Sequence, residues 1–356
     1  MDLRQQLAAV LARQEVAACP TDADADAWLA LACEEGVAGL LADRLAHEKA
    51  VPVGLRDALI AETRQLAMME LGQHAALVAV LATLHAAAIP VLMLKGTALR
   101  CWLYPAPHLR ESSDIDLLFA SRADAMAAVA VLAPLGYGAA FPPDRYAHEL
   151  LCRNRASRVD LDLHWALTGH PALRDLPDFD HLMGGSVSLP GLSPHGFGLG
   201  PADAFLHACV HRASNLEIGA GDRLKWLYDI HLLAGVFSEE GWKQVVRICG
   251  EARISGMALA ALEASHMTFG TVSPATVLDA LRTGMHGDAL DASRLQDWRH
   301  LQWMRLRALP GWRARAGWLW ARAFPSSGYM RELYGRDASR AGLLGRRLLR
   351  LMGRVG

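Results

Sequence analysis

Two short apolar segments that carry alternating acidic residues constrain the fold of this 356-residue chain more than any other feature. The first covers residues 114–118, with the sequence DIDLL, and the second covers 160–164, with the sequence DLDLH. On a β-strand the side chains alternate between the two faces, so each segment places its acidic residues on one face and its apolar residues on the other. The pattern predicts two strands of one sheet, each with an acidic and an apolar face.

The rest of the chain divides into regions by its hydrophobic pattern. Apolar residues recur every three or four positions in 1–88 and again in 201–356, whereas short apolar runs typical of buried strands lie between them. We therefore expect an α/β (α+β) protein in which a small mixed β-sheet core at 89–183 is flanked by N-terminal and C-terminal helical regions. The segment 184–200, rich in Gly, Pro and Ser, is predicted to be a linker.

Within the predicted core, the positions of the strands follow from the apolar runs. Residues 91–94 and 115–119 each have the length of a buried strand. Residues 147–153 and 158–165 are separated by four polar or small residues, a connection that suits an antiparallel hairpin. The core is therefore expected to combine a hairpin with short buried strands.

Composition and cysteine usage exclude several classes of protein. With 52% hydrophobic and 21% charged residues, the chain is typical of a globular protein. Its six cysteines include no CxxC pair, which argues against a zinc ribbon or a disulfide framework and favours a cytoplasmic location. Charged residues interrupt the apolar residues of the N-terminus, so no export signal is predicted. The uncharged stretch 75–94 is long enough to span a bilayer, but Pro90 divides it, and no transmembrane segment is expected.

Charge is unevenly distributed along the chain. Residues 294–356 contain 14 arginines and three acidic residues, whereas the preceding part is net acidic and the whole chain has a net charge of -1. The favoured interpretation is that this basic tail docks on the acidic body. Five of the ten tryptophans lie in the tail, and a solvated arm has little reason to carry them. Binding of the tail to nucleic acid or to an anionic membrane is the less favoured alternative.

The acidic residues of the two strand segments form a set suited to a divalent cation. Asp114 and Asp116 are two positions apart, so their carboxylates share one small volume, and a hard cation relieves the repulsion between them. A third carboxylate, from Asp162 or Asp160, would complete a two-metal site for phosphoryl transfer. The alternative is that these residues are only the solvated face of a half-exposed sheet.

The segment Lys95-Gly96-Thr97 follows the first predicted strand and opens a helix. Such a turn can bring backbone N–H groups and a helix N-terminus against a phosphate chain. The same sequence also suits an ordinary connection between a strand and a helix. Its position before the acidic pair favours the phosphate-binding interpretation.

In order and spacing, these motifs resemble those of the uncharacterised nucleotidyltransferase family within the DNA polymerase β-like superfamily. The residues that carry the resemblance are 90–99, Tyr104-Pro105, Arg110, 114–118 and 159–165, with weaker similarity at 205–211, 223–230, Phe324-Pro325 and Tyr334-Gly335. The turn before the acidic pair has Lys95-Gly96 where the superfamily usually has Gly-Gly-Ser or Gly-Ser. The resemblance implies that Asp114, Asp116 and Asp162 bind Mg²⁺. Mn²⁺ is an alternative ion for the same site.

The resemblance also implies an activity, which is the transfer of a nucleoside monophosphate from an NTP, ATP among them, to an acceptor with release of pyrophosphate. Gly96 and Thr97 are expected to hold the β- and γ-phosphates, and Lys95, Arg110 and Lys225 to neutralise their charge. The acceptor is expected to present a hydroxyl or similar nucleophile on a small molecule, a peptide or a protein. Nucleic acid is a less favoured partner.

Two other functional classes stay open on the sequence. A metal-dependent hydrolase could use His164, His207 and His211 together with the aspartates, although no strict metalloprotease motif is present. A non-catalytic nucleotide-binding or regulatory protein is the other class. Lys225 and Asp229, one helical turn apart, could form an ion pair with each other instead of serving a phosphate site.

Overall fold

The computed structural model describes residues 2–12, 21, 24–48, 50–143, 145–325, 330, 331, 342 and 345. The N-terminal region is helical, as the hydrophobic pattern predicts. Its helices are α1 (Leu3–Leu11), α2 (Ala25–Glu35), α3 (Ala38–Leu45) and α4 (Val53–Ala86). Asp2 caps α1 by accepting a hydrogen bond from the Gln5 backbone N–H at 2.7 Å, which satisfies one of the free donors of the first turn.

Seven strands form one mixed sheet in the order β3-β4-β5-β2-β1-β7-β6. The strands are β1 (Leu92–Met93), β2 (Ile115–Leu118), β3 (Tyr137–Ala139), β4 (Glu149–Asn154), β5 (Leu161–His164), β6 (Val187–Ser188) and β7 (Phe197–Gly198). β2 lies between antiparallel β1 and parallel β5, and β4 and β5 form the predicted antiparallel hairpin. The mixed α/β class predicted from the sequence is therefore confirmed.

The segment 184–200 contributes strands to the sheet, in contrast to the predicted linker. β6 and β7 are antiparallel to each other, and β7 pairs in parallel with β1 through Gly198 and Met93. A Cβ on Gly198 would lie 2.9 Å from the Cβ of Ala98, so glycine lets β7 approach the helix that follows β1. Each of these strands is two residues long, too short to show an alternating pattern among glycine, proline and serine residues.

The apolar face of the sheet packs against α4 and α6 (Arg122–Leu132). Helix α6 follows β2, and α5 (Lys95–Trp102) connects β1 to the loop before β2. Leu161 and Leu163 of β5 are fully buried in a cluster that includes the C-terminal half of α4 and the inner side of α6. Full burial of each such side chain stabilises the fold by about 2 kcal/mol. This burial fixes the strand register, because a slip of one residue would bring the acidic residues into the core.

One described helix, α4, has the length and composition of a membrane span, with a mean hydropathy of 1.4 over its most apolar window, 22% of which is buried in the fold. The buried residues of α4 include Leu77, Val80 and Leu84, which contact the sheet. The helix ends at Ala86, before Pro90, and β1 follows. Proline therefore separates helix from strand within the uncharged stretch, as predicted.

The described chain after the sheet is helical, as predicted for the C-terminal region. Its helices are α7 (Phe179–Gly184), α8 (Pro201–Glu217), α9 (Leu224–Val236), α10 (Glu239–Glu251), α11 (Ser255–Phe269), α12 (Ala275–Gly284), α13 (Trp298–Ala308) and α14 (Gly311–Ala323), of which α7 precedes β6. Buried residues of α8, α9 and α11 form a second apolar cluster with those of α1, α2 and α3. The N-terminal and C-terminal helices therefore share one core.

The described part of the basic tail contacts the body through α13. Leu301 is buried, and Arg305 donates to the carboxylate of Glu217 on α8 at 2.7 and 3.0 Å. These contacts agree with docking. The expectation that docking buries the tryptophans of the tail is wrong for three of them. Trp303, Trp312 and Trp320 are largely exposed, at 60%, 72% and 67%. Most of 326–356, including Tyr334-Gly335, lies outside the described residues.

Candidate active site

Asp116 and Asp162 lie side by side on the acidic face of the sheet. β2 and β5 are parallel neighbours, and their register pairs Asp116 with Asp162 and Leu118 with His164. Because alternate residues of a strand point the same way, Asp116, Asp162 and His164 have the geometry to meet. Their ligand atoms lie within 4.8 Å of one another, so the three side chains could hold one metal ion.

The buried carboxylate of Asp116 is held by a lysine and a histidine. Nζ of Lys95 donates to Oδ1 of Asp116 at 2.6 Å, and Nε2 of His164 lies 2.9 Å from the same oxygen. Burial alone would raise the pKa of Asp116, but the hydrogen bond with His164 and the charge of Lys95 hold this pKa well below its usual range. Burial alone would lower the pKa of Lys95, which the carboxylate of Asp116 raises instead. Asp116 and Lys95 therefore form a charged pair.

Asp162 has the opposite electrostatic environment. Burial, followed by the negative charges of Asp116 and Glu149, raises the pKa of Asp162 to about 7. A carboxyl group with this pKa exchanges its proton near neutral pH, and a bound cation would favour its ionised form. The site therefore combines one firmly ionised carboxylate with one that titrates near neutrality.

Asp114 lies immediately before β2 and is half-buried. Its side chain contacts the Ser113 hydroxyl at 3.2 Å, and its backbone carbonyl accepts hydrogen bonds from the hydroxyls of Ser112 at 2.9 Å and Thr97 at 3.4 Å. Its negative charge contributes to the raised pKa of Asp162. Asp114 is near the acidic pair, but it is outside the described set of ligand atoms that lie within 4.8 Å of one another.

Asp160, the alternative third acid, has a partner of its own. Its carboxylate lies 3.5 Å from Nε of Arg153 on β4, and it is not a member of a converging ligand group among the described residues. The geometry therefore favours Asp162 over Asp160 as the acid that β5 contributes.

The turn between β1 and α5 has an unusual backbone. Lys95 has a φ of 50°, in the left-handed region that few residues other than glycine adopt. A Cβ on Gly96 would lie 3.0 Å from Nη1 of Arg110, so glycine allows the guanidinium group to lie against the start of α5. Thr97 is fully buried, and its hydroxyl donates to the Asp114 carbonyl. Arg110 therefore covers the first turn of α5.

Comparison of the sequence with known protein families identifies the family of the chain. The profile of the uncharacterised nucleotidyltransferase family matches residues 21–270, a range that contains the whole sheet and both acidic strands. The chain belongs to this family. No curated protein and no solved structure matches the chain. The family match confirms the resemblance seen in the motifs, and it extends into the N-terminal helices.

Arg110 is bound to α9. Its Nε and Nη2 donate to the two carboxylate oxygens of Asp229 at 2.8 and 2.6 Å, and the Tyr104 hydroxyl donates to the same carboxylate at 2.7 Å. Burial alone would lower the pKa of Arg110, but the charge of Asp229 raises it. This buried pair connects the loop before β2 to α9. Within the described residues Asp229 pairs with Arg110, and no ion pair joins it to Lys225.

Lys225 lines a groove beside the start of β2. The groove is bounded by α4, the beginning of α9 and the loop that contains Glu111, Ser112 and Ser113. Burial, followed by the positive charge of Arg110, lowers the pKa of Lys225. No carboxylate of the described residues forms an ion pair with the Lys225 ammonium. Of the predicted phosphate-binding cations, Lys225 is therefore the one that the described fold does not pair with a carboxylate.

His207 and His211 of α8 line a separate cavity that Lys95, Arg110 and Trp226 also border. Burial lowers the pKa of both histidines, that of His211 to about 3, so both rings are neutral. Neither histidine belongs to a group of converging metal ligands in the described chain. The ligand set of the hydrolase alternative is therefore not assembled in the described fold.

Two residues beside the site were missed by the sequence analysis. Glu149 begins β4 opposite His164 in the register of the hairpin, and His148 precedes it. Together with His164 they form a second described group whose ligand atoms lie within 4.8 Å of one another. The predicted hairpin did not give this contact, because pairs counted outward from a turn at 154–157 place residue 149 opposite residue 162, two positions from its observed partner His164.

Proposed function

We propose that this protein is a Mg²⁺-dependent nucleotidyltransferase that transfers a nucleoside monophosphate from an NTP to a hydroxyl or similar acceptor. The observation that most strongly supports this function is that Asp116 and Asp162 are paired on neighbouring parallel strands, in a chain that belongs to a nucleotidyltransferase family. The acceptor oxygen would form a bond to the α-phosphorus, the bond from that phosphorus to the bridging oxygen would break, and pyrophosphate would leave.

The side chains of the site fit a hard divalent cation. Mg²⁺ prefers oxygen ligands, and carboxylates are the protein groups that most often supply them. Burial, followed by the negative charges of Asp116 and Glu149, raises the pKa of Asp162 to about 7, and a bound cation would relieve the repulsion among these carboxylates. Asp116 and Asp162 would hold the metal, Mg²⁺ or alternatively Mn²⁺, and Asp114, which lies nearby but outside their converging set, would have to turn its carboxylate toward it to be a third ligand. A bound metal would stabilise charge on the phosphates and lower the pKa of the acceptor hydroxyl.

Asp162 would take up the proton of the acceptor hydroxyl. Burial and like charges raise the pKa of Asp162 to about 7 in the metal-free protein, so this carboxylate is more basic than an ordinary one, and a bound cation would lower that pKa. Asp116 would stay ionised throughout, because Lys95 and His164 stabilise its charged form. The two carboxyl groups would therefore have different roles.

Lys95 would change partners during the reaction. Its ammonium group neutralises Asp116 at 2.6 Å when no other cation is there. A divalent cation held by Asp116 would supply that positive charge instead, and the Lys95 ammonium group would then be available to neutralise the triphosphate. Lys225 would supply a second positive charge from the groove beside β2.

Arg110 would affect phosphate binding mainly by controlling access to the turn that it covers. Its guanidinium group already binds both oxygens of Asp229. For Gly96 and Thr97 to reach the β- and γ-phosphates as predicted, the Arg110 side chain would have to move from the start of α5. Arg110 would thus control access to these two residues.

The reaction class can be tested with NTPs labelled separately at the α- and γ-phosphate. The full-length protein is incubated with each NTP, Mg²⁺ and a soluble extract of the host, since we also propose a cytoplasmic location, and products are analysed by intact mass and radiolabel. We expect the α-label and the mass of one nucleoside monophosphate in a product, with the γ-label in pyrophosphate. Transfer of the γ-label to the product, or release of inorganic phosphate alone, would contradict the proposal.

A further inference from the structure

A second group of ligand atoms adjoins the acidic pair and shares His164 with it. His148 and Glu149 lie at the start of β4, beside His164 of β5. Nε2 of His148 lies 3.4 Å from Oε2 of Glu149, and Nδ1 of His164 lies 3.2 Å from the same oxygen. The three ligand atoms therefore surround one small volume.

Two of the three separations within this group match a tetrahedral metal site, and the third is below 4.8 Å. A tetrahedral ion with bonds of about 2.0 to 2.1 Å keeps neighbouring ligand atoms about 3.3 to 3.4 Å apart. The two distances that end at Oε2 of Glu149 are already close to that length, at 3.4 and 3.2 Å. Two imidazoles and one carboxylate are typical ligands of Zn²⁺ and related ions, whereas Mg²⁺ prefers oxygen ligands alone.

The hydrogen bonding of His164 leaves one ring nitrogen without a partner. Nε2 lies 2.9 Å from the ionised carboxylate of Asp116, which can only accept, so Nε2 carries a proton. The side chain is 3% exposed, and Nδ1 has no hydrogen-bond partner in the described chain. Nδ1 lies 3.2 Å from Oε2 of Glu149 but forms no hydrogen bond with it, so this nitrogen is available to a cation that the carboxylate could also contact.

His148 is oriented toward the same volume. A Cβ on Gly169 would lie 2.7 Å from Nδ1 of His148, so the glycine backbone lies against that side of the ring, while Nε2 faces Glu149. Burial lowers the pKa of His148 to about 4 against the opposing effect of the Glu149 charge, which keeps the ring neutral and able to bind a metal. The side chains of His148 and Glu149 are 31% and 44% exposed, so an ion can reach them from solvent.

We propose that His148, Glu149 and His164 form a binding site for a late first-row divalent cation of the Zn²⁺ type, with water as the fourth ligand. This site shares His164 with the group that contains the acidic pair but takes its other two ligands from β4 and the residue before it, and it does not rest on the proposed nucleotidyl transfer. A metal at Nδ1 keeps the His164 proton on Nε2 and so maintains the hydrogen bond to Asp116, an arrangement common around zinc ligands. The competing occupant of Nδ1 is a second proton.

The test is metal binding by the full-length, metal-free protein at neutral pH without nucleotide. Co²⁺ is titrated while its visible absorption is recorded, and Zn²⁺ affinity is measured against a chromophoric chelator. We expect one equivalent with a tetrahedral Co²⁺ spectrum that excess Mg²⁺ does not remove. His148→Ala and Glu149→Gln should each weaken binding by at least about tenfold. Asp162→Asn and the exposed control His286→Ala should retain the spectrum, and circular dichroism verifies folding of each variant.

Three results would overturn the proposal. One is the absence of a tetrahedral Co²⁺ species in the wild-type protein. Another is binding that survives both His148→Ala and Glu149→Gln but is lost in Asp162→Asn, which would assign the ion to the acidic pair. The third is a His164 ring that nitrogen NMR shows doubly protonated in the presence of excess Zn²⁺. Since no nucleotide is present, none of these results bears on nucleotidyl transfer.

Discussion

Asp116 and Asp162 occupy paired positions on parallel strands, yet their pKa values are displaced in opposite directions. Lys95 and His164 keep Asp116 ionised against the effect of burial, whereas burial and like charges raise the pKa of Asp162 to about 7. Two carboxyl groups with separated pKa values suit a site in which one binds a cation and the other also handles a proton.

Replacing Asp116 by Asn should destabilise the metal-free protein by about 3 kcal/mol, because it leaves the largely buried Lys95 ammonium without its counter-ion. The sequence alone suggests the reverse, since removing one of several neighbouring acids relieves repulsion. That expectation omits Lys95 and His164, which already stabilise the charge of Asp116. Urea unfolding in EDTA measures the effect, and Lys95→Met combined with Asp116→Asn should recover part of the loss. Equal stability of Asp116→Asn and wild type would contradict the ion pair.

Asp162 should make the metal-free protein less stable as the pH rises. Its pKa is about 7 in the folded protein and about 3.9 in an unfolded chain, so the folded state binds the proton more tightly. The resulting stabilisation is fully present below about pH 4 and is lost as the pH rises through about 7. Asp162→Asn cannot ionise, so it should match the wild type at about pH 4 and exceed it by up to about 4 kcal/mol above about pH 8.

Urea unfolding of both proteins at several pH values measures this difference. Asp160→Asn is the matched control, because it removes a carboxylate from the same end of β5 that has its own partner, Arg153. Parallel pH profiles for wild type and Asp162→Asn would show that Asp162 has an ordinary pKa.

Mg²⁺ should raise the melting temperature of the wild-type protein and of Asp160→Asn, but not that of Asp116→Asn or Asp162→Asn. A ligand at about 100 times its Kd stabilises the folded state by about 2.7 kcal/mol. The effect should grow with pH, because Mg²⁺ competes with the proton on Asp162. Differential scanning calorimetry measures the shifts. An equal Mg²⁺ shift in all four proteins would place the ion elsewhere.

The buried pair of Arg110 and Asp229 should be essential for stability. Arg110→Ala leaves the Asp229 carboxylate buried with only the Tyr104 hydroxyl, and we expect a loss of about 3 to 5 kcal/mol. The exposed pair of Arg247 and Glu251, at 2.8 Å, is the control, and Arg247→Ala should change stability by less than about 1 kcal/mol. Similar losses for the two variants on chemical denaturation would be inconsistent with a buried pair.

The sheet around the acidic residues could be predicted from the sequence, because a two-residue alternation of acidic and apolar side chains specifies both the strand and its faces. The partners of the charged side chains could not be predicted in this way. Arg110 and Asp229 are 119 positions apart, and their contact depends on how α9 packs against the sheet. β6 and β7 were missed because two residues are too few to show a period. His148 and Glu149 required the register of the hairpin, which no single strand shows.

The most direct test of the central claim is transfer of α-labelled nucleotide by wild type, Asp116→Asn, Asp162→Asn and Asp160→Asn, each assayed with its acceptor at saturating NTP and Mg²⁺. Asp116 and Asp162 meet across paired strands, whereas Asp160 binds Arg153. We expect the first two variants to lose at least about 10²-fold in rate, an effect of the size seen when a group that stabilises transition-state charge is removed, while Asp160→Asn keeps its activity. Transfer by Asp116→Asn at the wild-type rate would contradict that claim.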